Sequence, residues 1–141
     1  MTDRLKNPYA QVLQKKIQSK NAVVAVIGLG YVGLPLAHAF ALRGFRVYGI
    51  DIDPKRIAPL KRGISYIDDI QSSEIKPLIQ SKKLIPTVSF EVLKHADAVI
   101  VCVPTPLNRV KSPDISYIVA ASEKIAEHLH PGQLVSLEST T

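Results

Sequence analysis

The chain has 141 residues, 46% hydrophobic and 21% charged, with a formal net charge of +6. That length suits one domain with a real core, and no apolar run reaches the ~18 residues that a membrane span needs. Cys102 is the single cysteine, which excludes an internal disulfide, and MTDRLKNPYAQ contains no apolar signal core. Both features point to a cytoplasmic protein. The charge is unevenly spread. Arg4, Lys6, Lys15, Lys16 and Lys20 stand against Asp3 alone, so five minus one, or +4 of the +6, falls within residues 1 to 20. Without stacking aromatics or a nucleic-acid motif, this segment reads as a solvated basic helix. Neither nucleic acid nor a membrane is expected as a partner.

In chain order, a helix is expected over residues 8 to 20, capped by Asn7, with Pro8 at its first position. Tyr9, Val12, Leu13 and Ile17 form one apolar face, expected to dock on the rest of the protein. AVVAVI, residues 22 to 27, is a strand buried on both faces. A glycine turn follows, then a helix over 31 to 43 with Leu34, Ala37, Ala41 and Leu42 inward. RVYGI, 46 to 50, is the second strand, and Asp53 caps a helix from Pro54 to about Arg62. SSEIKPLIQSKK, 72 to 83, is expected to be helical with Ser73 as cap, despite Pro77. A short strand is expected at 87 to 89, one or two helical turns at 90 to 95, and a buried strand, AVIVCV, at 98 to 103. A last helix, 114 to 129, turns Ile118, Val119, Ile125, Ala126 and Leu129 inward, and LVSL, 134 to 137, is the final strand. Strands alternating with helices predict an α/β domain with a doubly wound parallel sheet. The domain takes residues 21 to 141 and the basic helix residues 1 to 20.

GLGYVG places glycines at 28, 30 and 33, between a strand and a helix and within a βαβ unit. Gly28 makes the tight turn, Gly30 lets backbone approach a pyrophosphate, and Gly33 lets helix and strand pack closely. The pyrophosphate then sits at the positive end of the following helix. Asp51 ends the second strand 18 residues after Gly33, where a carboxylate accepts from ribose hydroxyls and repels a 2′-phosphate. That favours NAD over NADP, although Lys55 and Arg56 could offset phosphate charge. Thr105 and Thr140 follow later strands, at the carboxyl edge where ligands bind in such sheets. Their hydroxyls serve either the cofactor or the loop backbone. Cys102 lies inside an apolar run and reads as core packing. His38, His95, His128 and His130 lack metal-ligand spacing, so no metal is expected.

GLGYVGLPLA, GIDIDPKRI, CVPTPL and SLESTT, in this order, resemble the N-terminal NAD domain of the nucleotide-sugar 6-dehydrogenases, the UDP-glucose/GDP-mannose dehydrogenase superfamily. The resemblance covers about residues 21 to 141 and implies a Rossmann-like fold. It implies oxidation of a sugar C6 hydroxyl to a carboxylate with two NAD, through an aldehyde captured by a cysteine as a thiohemiacetal and then a thioester. It also implies that Tyr31 and Val32 line the pyrophosphate turn, that Asp51 holds the ribose and that Arg56 lies beside the adenosine. Thr105 and Thr140 would contact the cofactor further along, Thr140 close to the reacting centre. RGISYIDDI and CVPTPLNRVKSPDISYI resemble the UDP-N-acetylglucosamine branch, with UDP-glucose and UDP-N-acetylmannosamine as alternatives and surface polysaccharide synthesis as the setting. The family's nucleophile, sugar-binding residues and subunit-pairing helix match positions beyond Thr141. The chain is therefore expected to be a truncated, inactive portion of a homo-oligomeric enzyme. A stand-alone NAD-sensing module and another dehydrogenase type remain competing readings.

Overall fold

The computed structural model describes residues 7–139. Five strands form one all-parallel sheet in the order β3-β2-β1-β4-β5. They are β1 Val23–Ile27, β2 Arg46–Ile50, β3 Leu84–Thr87, β4 Ala98–Val101 and β5 Leu134–Leu137. The helices are α1 Pro8–Gln18, α2 Gly33–Leu42, α3 Pro54–Lys61, α4 Ser72–Gln80 and α5 Ser116–His128, with a 3-10 turn over Phe90–His95. Side chains alternate across a strand. Val24 and Val26 therefore join one core with Ala37, Ala41, Ile57, Leu60 and Ile75 of α2, α3 and α4. Ala25 and Ile27 join the other, with Leu93 and with Ala121 and Ile125 of α5. Helices on both faces make the sheet doubly wound. From β1 the chain proceeds outward to β2 and β3, then returns to place β4 on the other side of β1. This reversal opens a crevice at the carboxyl ends of β1 and β4.

Several local expectations are corrected. The strand placed at 87 to 89 is Leu84–Thr87, because Leu84 is buried and pairs with Val47. Pro86 is tolerated since β3 is an edge strand, where a missing N–H costs no ladder bond. The strand placed at 98 to 103 ends at Val101. In α4, Gln71 is the cap rather than Ser73, and its N–H donates to the Glu74 carboxylate at 2.8 Å. In α2, Leu42 is 59% exposed while Leu34, Ala37 and Ala41 are buried. In α5 only Ala121 and Ile125 are buried, and Val119 and Leu129 stay exposed. The helix packs chiefly on the 3-10 turn, so only a narrow stripe of it meets the core.

The first helix buries no residue. Tyr9, Val12 and Ile17 remain 55%, 54% and 43% exposed, so the expected apolar docking is shallow. A polar contact holds α1 instead: Lys16 Nζ meets Asp97 Oδ1 at 2.9 Å, while Asp97 Oδ2 accepts the Val23 N–H. Tyr9 lies against Gly132, before β5.

Candidate functional site

The chain leaves β1 through Gly28, whose φ of +93° suits glycine and whose N–H donates to the Ile50 carbonyl. A Cβ on Gly28 would lie 2.6 Å from the Cys102 carbonyl oxygen, and one on Gly33 would lie 1.6 Å from the Gly28 oxygen. Packing of the turn itself requires both glycines. Gly30 differs, because a Cβ there would meet nothing nearer than Arg56 Nη1 at 3.7 Å. The fold leaves that space open toward the crevice. Helix α2 begins at Gly33 rather than Tyr31, and Tyr31 and Val32 stand 83% and 63% exposed along the crevice.

Asp51, directly after β2, is only 6% exposed. Its Oδ2 accepts the Leu29 N–H at 2.9 Å and Arg56 Nη1 at 3.2 Å, and its Oδ1 accepts the Asp53 N–H at 2.9 Å. A carboxylate has about four acceptor positions. Three are taken, so one hydroxyl can still donate to Oδ1, and a second would compete with Arg56. Asp53 caps α3 by accepting the Lys55 N–H, which puts Arg56 on the first turn facing Asp51. The Tyr66 hydroxyl donates to the Leu29 carbonyl at 2.5 Å. Burial pushes the Tyr66 phenol well above its ordinary pKa, Asp51 adds to this, and Arg56 opposes it.

A cleft of about 670 Å³ runs across these groups. Gly28, Gly30, Tyr31, Val32, Asp51, Arg56 and Thr105 all line it, and Gly33 stands behind the turn. Thr140 lies outside the described residues. Sequence reasoning missed the wall that α5 supplies, Tyr117, Ala120, Ala121 and Lys124. Their helical spacing with two adjacent alanines was the available signal. It also missed Ile52, 68% exposed beside Asp51. Cys102 packs against one of the two cores, but it follows the last residue of β4 and, only partly buried, it also lines the cleft. Burial, and then Glu138, push its thiol pKa up, so it stays protonated at neutral pH. Among the described residues no His, Cys, Asp and Glu cluster could hold a metal ion.

The residues fit a dinucleotide. Open space at Gly30 admits a phosphate at the N-terminal end of α2, and Asp51 offers a buried acceptor to a ribose. A parallel sheet with its glycine turn and strand-end carboxylate on one switch-point cleft is a Rossmann-like nucleotide-binding domain. More particularly, residues 22–141 match the model described as UDP-glucose/GDP-mannose dehydrogenase family, NAD binding domain, and the chain belongs to that family. Its cofactor is accordingly NAD. The UDP-N-acetyl-D-glucosamine 6-dehydrogenase of Pseudomonas aeruginosa is 41% identical over 121 residues, 86% of this chain and 28% of that protein. The UDP-N-acetyl-D-mannosamine dehydrogenase of Salmonella typhi is 39% identical, covering 84% and 28%. The solved UDP-D-ManNAc dehydrogenase of Pyrococcus horikoshii superposes with a TM-score of 0.78 at 39% identity, again over 84% and 28%. The chain thus spans little more than a quarter of the length of these relatives, whose names are those of dehydrogenases of UDP-sugars.

Proposed function

We propose that the chain supplies the cofactor domain of an NAD-dependent UDP-sugar 6-dehydrogenase acting on UDP-N-acetylglucosamine. The observation that carries the cofactor part of this reading is the join between glycine turn and carboxylate, Leu29 N–H bonded to Asp51 beside the open space at Gly30, and the similarity to the Pseudomonas aeruginosa protein supports the sugar. Gly28, Gly30, Tyr31, Val32 and Gly33 shape the phosphate turn, Asp51 accepts from the adenosine ribose, and Arg56 flanks the adenosine. Thr105 and Thr140 hold the cofactor farther along, Thr140 close to the reacting centre. When bound, NAD supplies the hydride acceptor for oxidation of the sugar C6 alcohol. The sugar contacts and the nucleophile lie outside these 141 residues, so the chain alone binds cofactor without turnover. The enzyme is cytoplasmic and homo-oligomeric, and its product feeds polysaccharide synthesis. The relatives named for UDP-N-acetylmannosamine support a second reading in which the epimeric sugar is the substrate.

The test joins residues 1 to 141 to the remainder of a relative's chain and supplies each UDP-sugar. Faster oxidation of UDP-N-acetylglucosamine, with two reduced cofactors per sugar, is the expected result. Preference for the manno epimer selects the second reading. A stoichiometry of one removes the four-electron chemistry altogether. Calorimetric binding of NAD without any sugar dependence of fluorescence or activity would favour a sensing module.

A further inference from the structure

Leu29 is held at both ends by residues 22 and 37 positions away. Its N–H donates to Asp51 Oδ2 at 2.9 Å, and its carbonyl accepts the Tyr66 hydroxyl at 2.5 Å. The Leu29 side chain is fully buried, with its methyls 3.0 and 3.3 Å from where a Cβ on Gly49 would sit. The residue therefore has little freedom to shift as a whole. The Leu29 carbonyl and the Gly30 N–H belong to one planar trans peptide unit and point in opposite directions. Fixing the carbonyl fixes the N–H. Gly30 lines the cleft, whereas Tyr66 does not. Tyr66 stands between α3 and α4, its ring packed on the core and flanked by buried Ile67 and Ile70.

We propose that Tyr66 is a positioning residue for the phosphate turn: its hydroxyl holds the Leu29 carbonyl so that the Gly30 N–H is aimed at the pyrophosphate of a bound dinucleotide. The proposal rests on the NAD-binding reading. Through Leu29 and Asp51 the same chain of bonds couples the phosphate turn to the ribose acceptor. A tyrosine that merely filled space would be replaced by phenylalanine without effect on ligand discrimination.

Tyr66→Phe keeps the ring and removes the donor. NAD, ADP-ribose and adenosine are titrated against both proteins by NMR and calorimetry. Loss of one aimed hydrogen bond corresponds to about five- to tenfold weaker binding. The expected loss is of that size for NAD and ADP-ribose, with adenosine unchanged within about twofold. The Gly30 amide signal of the variant should also shift and broaden without any ligand, as the freed peptide unit samples other orientations. Equal losses for all three ligands, or none, would overturn the proposal. If the unsubstituted protein fails to bind NAD, the cofactor reading falls, while the ligand-free Gly30 signal still reports on the tether. Should the variant not fold, relaxation dispersion on the unsubstituted, ligand-free protein decides: a rigid Gly30 amide supports the tether and an exchanging one refutes it.

Discussion

One carboxylate, that of Asp51, ties the glycine turn to β2 and also faces the cleft. Asp51→Ala would strand the Leu29 N–H, a group of a fully buried residue, at a cost of about 1–3 kcal/mol. Both melting temperature and NAD affinity should therefore fall, the latter about tenfold or more. Calorimetry beside a thermal melt checks this, and weaker binding at an unchanged melting temperature would separate the two roles. NADP should bind less tightly than NAD to the unsubstituted chain, and the reverse order would assign the ribose end to Arg56. Tyr66 gives a pH signature. Burial raises its folded pKa above the unfolded value of about 10. Its contribution is complete below that pH, and above it the unfolded chain loses the proton first, so stability declines as pH rises. Tyr66→Phe should make the decline between about pH 10 and 11 shallower in urea titrations. An equally steep decline would place the phenol in solvent. Cys102, with its thiol pKa raised, should react with iodoacetamide more slowly than a free thiol, and more slowly still with NAD present. Mass spectrometry over time reads both rates, and protection absent under saturating NAD would remove Cys102 from the cleft floor.

Among the elements, α1 is the least committed to the core. Its Lys16–Asp97 pair, in which the lysine is 44% exposed, contributes only about 0.2–1 kcal/mol. Deleting residues 1 to 20 should lower the melting temperature slightly. Asp97→Ala should cost more than Lys16→Ala, because Asp97 also holds the Val23 N–H. Equal effects of the two substitutions would show that this second bond contributes nothing. The inner strands were legible as apolar runs because β1, β2 and β4 lie between two helix layers. The four residues of β3, LIPT, were not, since an edge strand buries alternate residues and tolerates proline. The position of α5 escaped its own periodicity for a related reason. Its apolar residues cover more of its surface than the core beneath it does, so sequence marked too wide an inner face.

At the scale of the molecule, hydride transfer needs a sugar held at near-attack distance, and such positioning can contribute about 7–11 kcal/mol. Residues 1 to 141 should bind NAD yet show no reduction of it with UDP-N-acetylglucosamine over hours, followed by absorbance. Turnover abolished by Cys102→Ser would relocate the chemistry into this cleft. The parallel α/β sheet, the glycine turn and the strand-end carboxylate were determined by sequence alone. Each depends on spacing along one or two adjacent elements, which short-range sterics and burial dictate. The partners of that carboxylate, the Tyr66 tether, the α5 wall and the exposure of Cys102 were decided only by tertiary structure. Leu29 meets Tyr66 across 37 positions, and Gly28 packs on the carbonyl of Cys102, just past the end of another strand. Contacts of that kind depend on where the packed elements come to rest, and local periodicity carries no record of such distances.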